Sequence, residues 1–420
     1  MAGGQCEAKR LKALRIYLIT PAFPPEVGGQ EMHLFELCEN LVAQGASVKV
    51  ITRRRERAFA AVERMGPIPV VRLAPVGETR GGGWRALLPQ VLLLANVAWR
   101  LLRDVRQYDV VLVSGFNMFP LPAVLASALT RKPCVVRPES PLELGNAITD
   151  TSLRKMNLAV NSLPVRLFAA IRGAVARRVS RYIAISTEIE QRLLDNGIDR
   201  AKIDCVANGI DTGRFAPVDQ ARKLDLRDSL SLPRHQRLLI YTGRLVLSKG
   251  VMMLAEIWSQ IAAHYPDAHL ILVGTGAGSG DDCEPALRAL IAERNLQARV
   301  TLTGNVTNVH EYLKAADIFV FPSDSEGFGL SILEAMAVGL PLVSTRVGVA
   351  ADVGVEAQAG LFVPPKDSVS FTQALRRMLD DEALQRRCGA QALRAVASSY
   401  SMSTVARRHI EVFAVSHARA

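Results

Sequence analysis

Apolar runs of strand length alternate with longer segments of helical periodicity along the chain, and this alternation restricts the possible folds more than any other feature. In the first half, such runs predict strands at residues 14–20, 47–52, 70–73, 109–114, 134–137, 182–186 and 203–207. Helical segments between consecutive strands are typical of parallel sheets with helical crossovers. The first half is therefore predicted to form an α/β domain.

The alternation pauses at residues 208–237, NGIDTGRFAPVDQARKLDLRDSLSLPRHQR, and then begins again. The second set of strands is predicted at residues 238–242, 269–273, 300–303, 318–321, 341–344 and 361–363. Because 420 residues exceed one ordinary core, we expect two doubly wound α/β domains, 1–212 and 213–399. A last helix, at about 400–420, is expected to pack back on the first domain. Ligands of such sheets bind at the carboxyl ends of strands, so the site is expected in a cleft between the domains.

The composition is that of a globular protein, with 49% hydrophobic and 22% charged residues. Six cysteines are scattered without a CxxC pair or a Cys/His cluster, which favours a reducing, cytoplasmic setting and predicts no metal site. The N-terminal apolar run is typical of a first strand and not of a signal peptide. Residues 84–102 are interrupted by Arg85, Pro89 and Arg100, so they predict an amphipathic or buried helix and not a membrane span.

The net charge of +11 is concentrated in part of the chain. Residues 151–181 contain seven basic and no acidic residues, interleaved with apolar ones. Such a stretch favours contact with an anionic membrane surface and a peripheral location. The alternative is a partly solvated helix whose arginines face water or pair with other elements. Binding to nucleic acid is not expected, because aromatic residues make up only 5% and the usual binding motifs are missing.

Two loops that follow predicted strands contain groups suited to a phosphate. In TPAFPPEVGGQEMH, Gly28 and Gly29 let the backbone approach a ligand just before a helix start near residue 30 or 31, which favours an anion. In LLIYTGRLVLSKG, Gly243 permits a tight turn, and Arg244 and Lys249 are two cations suited to a diphosphate. The alternative for both cations is a solvated surface position.

The loop HLILVGTGAGSG resembles a dinucleotide-binding motif only superficially. Counted from Gly274, the last glycine of GxGxxG falls on Ser279. A nicotinamide cofactor is therefore disfavoured.

The segment SDSEGFGLSILEAMAVGLPLVST places two carboxylates, Glu326 and Glu334, in an otherwise apolar stretch. A helix is predicted from about Ser331, with Glu326 in the preceding loop and Glu334 in the first turn. In one interpretation Ser331 and Glu334 form a capping box, and Glu326 is a solvated carboxylate. In the other, each carboxylate accepts hydrogen bonds from a pair of hydroxyls, on either side of a phosphate bound at the helix N-terminus.

Taken together, PPEVGGQEMH, VANGIDTGRF, YTGRLVLSKG and the E-x7-E segment with GFG inside it resemble the retaining GT-B glycosyltransferases of family 4. The resemblance implies two Rossmann-like domains that face each other across a cleft. It also implies an acceptor site mainly in the first domain and a nucleotide-sugar site mainly in the second. The donor would be a UDP-, GDP- or ADP-sugar, the acceptor a glycan or a lipid-linked hydroxyl, and no metal or other cofactor would be required.

The resemblance implies specific roles for residues of this chain. Glu326 would bind hydroxyls of the donor sugar, while Arg244 and Lys249 would neutralise the diphosphate and stabilise its departure. The remaining donor-binding residues would be Gly28, Gly29, Gly243, Gly327, Phe328, Gly329, Leu330 and, for the ribose, Glu334.

This sequence departs from the family at one position. Family members often have a histidine just after the strand predicted at 109–114, and the segment DVVLVSGFNMF has none. The nearest polar candidates are Ser114, Asn117 and Glu139. Two alternatives to a transferase stay open. One is a nucleotide-sugar epimerase or hydrolase on the same fold; the other, suggested by the missing histidine and the basic stretch, is an inactive membrane-associated protein that binds a sugar nucleotide.

Overall fold

A computed structural model describes residues 14–26, 28–77, 87–144, 162–355 and 357–418. The chain divides into two units, one formed by Met1–Gly209 with Met402–Ala420 and the other by Ile210–Ser401. Several predicted features lie outside the described residues: the first thirteen residues with Cys6, residues 84–86, and residues 151–161 of the basic stretch with Arg154 and Lys155.

The first unit is built on an eight-stranded sheet of order β3-β4-β2-β1-β5-β6-β7-β8. Its strands are β1 (Arg15–Ile19), β2 (Ser47–Arg53), β3 (Val62–Met65), β4 (Ile68–Leu73), β5 (Val110–Ser114), β6 (Cys134–Arg137), β7 (Arg181–Ala184) and β8 (Ile203–Cys205). Its first helices are α1 (Gly29–Ala43), α2 (Leu87–Arg103), α3 (Pro120–Thr130), α4 (Leu163–Arg178) and α5 (Thr187–Asp195). All strand pairs are parallel except β3 with β4.

The second unit contains a six-stranded sheet of order β11-β10-β9-β12-β13-β14, in which every pair is parallel. Its strands are β9 (Arg237–Thr242), β10 (Ala268–Val273), β11 (Val300–Gly304), β12 (Ile318–Phe321), β13 (Leu342–Thr345) and β14 (Gly360–Val363). Its helices are α6 (Gln220–Ser229), α7 (Val251–Ile261), α8 (Glu284–Glu293), α9 (Val309–Ala315), α10 (Leu330–Ala337), α11 (Ser368–Asp380) and α12 (Glu382–Ala395).

The central strands are apolar on both faces, because helices cover both sides of each parallel sheet. Strands β5, β6, β10, β12 and β13 are buried along their whole length. In each unit the order of strands reverses at one point, between β1 and β5 in the first sheet and between β9 and β12 in the second. Such switch points open a crevice at the carboxyl ends of the flanking strands, which is the usual position of a ligand site.

The predicted fold class is confirmed: each of the thirteen predicted strands is present, with ends that differ by at most two residues. The prediction missed β3, a short edge strand in which no residue is fully buried. Among the described helices, none has both the length and the hydropathy that crossing a bilayer requires.

The polar stretch 208–237 contains a helix, α6, where the sequence predicts only a pause between domains. Arg227 is buried and donates hydrogen bonds to the carbonyl oxygen of Ala315 (2.9 Å) and to Oδ2 of Asp317 (2.7 Å). Lys223 donates to the other Asp317 oxygen at 2.6 Å. This polar helix has only a small apolar face, so ion pairs to the loop before β12 hold it in place.

The last helix, α13 (Met402–Ala418), packs on α1 in the first unit. Its apolar residues Met402, Val405, Ile410 and Phe413 belong to the same buried cluster as Leu34 of α1. The core of the first unit is thus made from two distant segments of the chain.

Candidate functional site

The loops that follow β9 and β12 are held together at the switch point of the second sheet. The two strands are neighbours, and beyond them the amide of Asp324 donates to the carbonyl oxygen of Ser248 at 3.0 Å. The Oγ of Thr345, at the end of β13, donates to the Ser323 carbonyl oxygen at 2.6 Å. These bonds fix the positions of the two loops that contain the predicted cations and Glu326.

Lys249 and Glu326 form an ion pair in which Lys249 Nζ lies 2.5 Å from Glu326 Oε1. The side chains are only 17% and 10% exposed, respectively. The interpretation of both residues as solvated surface groups is therefore wrong. Each charge is largely withdrawn from water and is balanced by the other, an arrangement in which loss of one partner leaves a costly unpaired charge.

A glycine fixes the turn that positions Lys249. Gly250 has φ 67°, and a Cβ at this position would lie 2.1 Å from the carbonyl oxygen of Pro322 at the end of β12. Only glycine combines the left-handed conformation with this close approach of two backbones. Lys249 is thereby held directly against the loop that contains Glu326.

Arg244 is exposed at the end of β9, and within the described part of the chain its guanidinium makes no ion pair. Its carbonyl oxygen accepts a hydrogen bond from the Tyr241 hydroxyl at 2.9 Å. Tyr241 is buried and stacks on Phe321 with 5.8 Å between ring centroids. Burial, together with the negative charge of Glu326, raises the pKa of Tyr241 well above its usual value, so the hydroxyl remains a donor. A Cβ at Gly243 would lie 2.8 Å from this hydroxyl, which explains the glycine in the turn.

The helix that follows Glu326 begins with a different cap from the predicted one. Helix α10 starts at Leu330, and its N-cap is Gly329, in the left-handed conformation with φ 87° and no side-chain cap. The predicted start at about Ser331 is confirmed to within one residue, but the capping box of Ser331 with Glu334 is wrong, because the N-cap is Gly329 and Ser331 already lies inside the helix. Glu334 lies in the second turn and is half-buried. The amide of Ile332 donates to the Gly329 carbonyl oxygen at 3.0 Å, and the N-cap residue supplies no side-chain acceptor for the amides of the first turn.

Phe328 anchors the loop between Glu326 and α10. Its side chain is buried, and its carbonyl oxygen accepts a hydrogen bond from the amide of Val349 at 2.6 Å. Gly348 lies so close that a Cβ would be 2.3 Å from the same oxygen. Phe328 thus fixes the loop through packing, while the half-buried Gly327 and Leu330 lie on either side of Phe328 and Gly329.

The two remaining predicted residues, Gly28 and Gly29, lie in the first unit, at the start of α1. Gly28 is the N-cap with an extended φ of −166°, and Gly29 is the first helical residue, so the helix begins one or two residues before its predicted start. The loop before them is tied to β4, because Arg72 Nη2 donates to the Pro24 carbonyl oxygen at 2.5 Å. Among the predicted site residues, the structure brings Arg244, Lys249, Glu326 and α10 together in one unit and holds the glycine pair in the other.

A buried polar network lies at the carboxyl ends of β5 and β6 in the first unit. Glu139 Oε1 accepts hydrogen bonds from the Ser114 hydroxyl and from Arg137 Nη1, each at 2.6 Å. Arg137 is 1% exposed and also donates to Asn208. Asn117 is held differently, since its Oδ1 accepts from the amide of Phe119 at 2.9 Å. Ser114 and Glu139 are thus joined, and Asn117 lies in a separate turn.

Four residues of this region were not predicted from the sequence: Arg137, Asn208, Glu143 and His33. Arg137 is recognisable only as a charge that ends an apolar strand, and Asn208 only as part of VANGIDTGRF. Glu143 Oε2 accepts from the amides of Phe116 (2.6 Å) and of Glu139 (3.2 Å), and burial raises the pKa of this carboxyl. The contacts of Glu143 with Phe116, of Arg137 with Asn208 and of His33 with Gly209 join residues that are 27 or more positions apart, so no local sequence pattern predicts them.

His33 is a neutral, structural member of the region. Its Nε2 accepts a hydrogen bond from the amide of Gly209 at 3.2 Å, which places the proton on Nδ1. Burial, and after it the positive charge of Arg137, lowers the pKa of His33 well below its usual value. The imidazole connects α1 to the segment that follows β8.

Two family models match the chain in succession. Residues 27–214 match Glycosyltransferase Family 4, and residues 223–395 match Glycosyl transferases group 1. Among curated proteins, the D-inositol 3-phosphate glycosyltransferase of Nocardioides sp. is 26% identical over 404 residues, which is 92% of this chain and 85% of that protein.

Solved structures agree on the fold. Sucrose-phosphate synthase from Thermosynechococcus elongatus superimposes with a TM-score of 0.75 at 23% identity, covering 97% of this chain and all of that one (100%). Anabaena Alr3699/HepE, solved in complex with UDP, gives a TM-score of 0.73 at 20% identity and covers 95% of this chain and 99% of that one. The two family matches and the shared fold lead to one conclusion: the chain is a glycosyltransferase of the GT-B fold, and the region that matches Glycosyl transferases group 1 contains the Lys249–Glu326 pair.

Proposed function

We propose that the enzyme transfers a hexose or a related sugar from a nucleoside diphosphate sugar to a hydroxyl of a glycan or of a lipid-linked acceptor, with retention of anomeric configuration. The observation that carries this proposal is the largely buried Lys249–Glu326 pair beside the exposed Arg244, at the switch point of the second sheet. A UDP complex of a protein with the same fold supports a nucleoside diphosphate donor.

In this proposal the ion pair opens toward the donor. The diphosphate pairs with Lys249 and Arg244, and a hydroxyl of the donor sugar donates to Glu326 in place of the lysine. Glu334 accepts hydrogen bonds from the ribose, and the uncapped amides of α10 face phosphate oxygens. These groups stabilise the negative charge that grows on the leaving diphosphate, which is the largest catalytic contribution expected at such a site. The two cations supply this charge stabilisation without a divalent metal.

Retention places the acceptor on the same face of the sugar as the leaving group. The bond between the anomeric carbon and the phosphate oxygen breaks as the bond to the acceptor oxygen forms. An oxygen of the departing diphosphate can then take the acceptor proton. This route is consistent with the segment after β5, which has no histidine to act as a base.

A thermal-shift panel of UDP-, GDP- and ADP-sugars tests the donor. A ligand at 100 to 1,000 times its dissociation constant stabilises a protein by roughly 3 to 4 kcal/mol, so one base should give a clear increase in melting temperature. Glu334→Gln should weaken that donor roughly tenfold or more, because charged hydrogen bonds to the ribose are lost. Glu382→Gln, at a side chain that is 75% exposed, is the matched control.

Product analysis separates the proposal from its alternatives. Transfer should require both donor and acceptor and give the retained anomer. An epimerised or hydrolysed sugar formed from donor alone would favour the epimerase or hydrolase. Tight donor binding without turnover over a broad acceptor panel would favour an inactive binding protein.

We also propose that the outer faces of α2 and α4 contact an anionic membrane surface. Both helices expose large apolar side chains: Leu88, Val91, Leu92, Trp99 and Leu102 on α2, and Leu163, Leu167, Phe168 and Ile171 on α4. Exposed Arg166, Arg177 and Arg178 lie on α4, which suits an interface with anionic lipid. Arg181 has a different role, since it pairs with Asp204 at 2.5 Å. The free cysteines at 38, 134, 205, 283 and 388 support a cytoplasmic location for this surface.

A further inference from the structure

A cavity of about 120 Å³ lies in the first unit beneath α4. Its lining is mainly apolar, with Phe116, Leu144, Phe168 and Leu193 among its walls, and it includes one cation, Arg172. Empty cavities of this order accept a small apolar molecule such as benzene. The cavity is therefore large enough for part of a hydrocarbon chain.

Arg172 is a half-buried cation on the cavity wall. Its guanidinium lies 5.0 Å from the centroid of the Phe116 ring, and among the described residues it donates one hydrogen bond, to the Phe116 carbonyl oxygen, which is long at 3.5 Å. Within the described ranges it forms no ion pair. Burial lowers the pKa of Arg172, and the nearby negative charge of Glu143 offsets this only in part, so the cavity wall offers a place for a further anion.

The cavity adjoins both the polar network and the exposed apolar face. Phe116 lies just after β5, and its amide donates to Glu143 at 2.6 Å; Glu143 also accepts from the amide of Glu139, the residue that binds Ser114. Phe168, in contrast, lines the cavity and is 41% exposed on α4. A bound molecule would thus have polar groups of the strand ends near one part and the apolar face of α4 near another.

We propose that this cavity binds the acceptor as an anionic amphiphile, with its hydrocarbon chain against Phe116, Leu144 and Phe168 and its phosphate paired with Arg172. The identification of this amphiphile as the acceptor rests on the proposed glycosyltransferase function. The chain supplies affinity by leaving water, at roughly fourfold per buried methylene, and the phosphate supplies orientation toward the strand ends.

Monomeric octyl phosphate is a suitable probe, titrated by calorimetry against the full chain. Inorganic phosphate and octyl glucoside serve as comparison ligands that lack the chain and the charge, respectively. We expect octyl phosphate to bind at least tenfold tighter than either. Equal binding of inorganic phosphate, or of octyl glucoside, would contradict the proposal.

Two variants locate the binding. Arg172→Gln should weaken the binding of octyl phosphate by tenfold or more. Ala169→Phe, at an exposed alanine on the cavity wall, should block that binding without disturbing the core. Arg192→Gln, at an exposed arginine of α5 that belongs neither to the cavity wall nor to the proposed membrane surface, should leave binding unchanged. A donor-induced thermal shift identical to that of the unmodified chain confirms that each variant is folded. Unchanged octyl phosphate affinity in Ala169→Phe would place the ligand elsewhere and overturn the assignment.

A competition arm distinguishes a lipid-linked acceptor from bulk membrane lipid. A prenyl phosphate at low density in phosphatidylcholine vesicles should displace octyl phosphate, and phosphatidylglycerol vesicles should not. Equal displacement by phosphatidylglycerol would overturn the assignment as the acceptor.

If octyl phosphate fails to bind while sugar is transferred to a glycan, the cavity proposal fails and the proposed function stands. If octyl phosphate binds but no donor does, the proposed function fails instead, and with it the identification of the amphiphile as the acceptor.

Discussion

The 2.5 Å contact between Lys249 Nζ and Glu326 Oε1 joins a diphosphate-binding candidate to a sugar-binding candidate. The two residues follow different strands, β9 and β12, and their loops meet only because those strands are neighbours. Each side chain neutralises the other before any donor arrives. Donor binding would then exchange one pair of charges for new partners without leaving either group unpaired.

Replacing Lys249 tests this relationship. Lys249→Met should lower transfer roughly 100- to 1,000-fold, because one cation at the leaving group is lost. It should also lower the free energy of unfolding by about 1 to 3 kcal/mol, since the Glu326 carboxylate stays behind without its partner. Urea denaturation and initial rates measure the two effects.

A double variant and a surface control complete this test. Lys249→Met with Glu326→Gln should recover most of the stability and none of the activity. Arg386→Met removes an exposed ion pair with Glu382 on α12 and should change neither quantity appreciably. Full activity in Lys249→Met would exclude the proposed role.

Gly250→Ala should be severely destabilising. The methyl group would meet the Pro322 carbonyl oxygen at 2.1 Å in a backbone conformation that already disfavours alanine. We expect a loss of about 2 kcal/mol or more in the free energy of unfolding. Gly280→Ala, which meets nothing within 4 Å, is the matched control and should stay within about 0.5 kcal/mol. Equal stability of the two variants would show that the loops can separate.

Acid should destabilise the first unit through its buried histidines. Burial lowers the pKa of His409 to about 3 in the folded chain, against about 6.5 when unfolded. Between these values the unfolded chain binds more protons, so the free energy of unfolding falls as pH decreases below 6.5, by about 1.4 kcal/mol per pH unit for this residue. In urea denaturation between pH 7 and 5, the free energy of unfolding of His409→Gln should therefore change less steeply with pH than that of the unmodified chain. The exposed His417→Gln should keep the original slope, and an unchanged slope in His409→Gln would contradict this account.

Membrane contact is tested on α4. Leu167, 58% exposed, should lie against lipid, so Leu167→Glu should weaken sedimentation with phosphatidylglycerol-containing vesicles by roughly fivefold or more. Val369→Glu places the same charge at a 66% exposed valine on α11 of the second unit and should bind as before. Raising the ionic strength should weaken binding of the unmodified chain, because salt screens the arginines. Equal losses in the two variants, or no vesicle binding at any salt concentration, would exclude this surface.

The strands were predictable because buried parallel strands are continuous apolar runs, a property of local sequence. Strand β3 was not, since its sequence VERM has two charged residues in the middle and lies at the edge of the sheet, where every residue is exposed or half-buried. The start of α10 was predicted to within one residue, but its cap was not. Ser331 and Glu334 fit a capping-box pattern, but the left-handed Gly329 starts the helix before Ser331.

The candidate site was predictable only in part. Arg244, Lys249 and Glu326 could be placed at strand ends from the alternation alone, and their roles in binding the donor stay predictions. The network around Arg137 was not foreseeable as a whole, because Ser114 joins it from the end of β5 and Asn208 from the segment after β8. Whether a charged side chain is buried depends on how the strands assemble into the sheet. In the sequence, such a residue is only an isolated charge next to an apolar run.

The packing of α13 has a consequence for synthesis on the ribosome. The second unit is one continuous segment, Ile210–Ser401, and can fold once that segment has emerged. The first unit begins earlier in the chain, but its core includes Met402, Ile410 and Phe413. The core of the unit translated first is therefore completed only after the second unit has been synthesised, and until then Leu34 and its neighbours on α1 lack the cover that α13 provides.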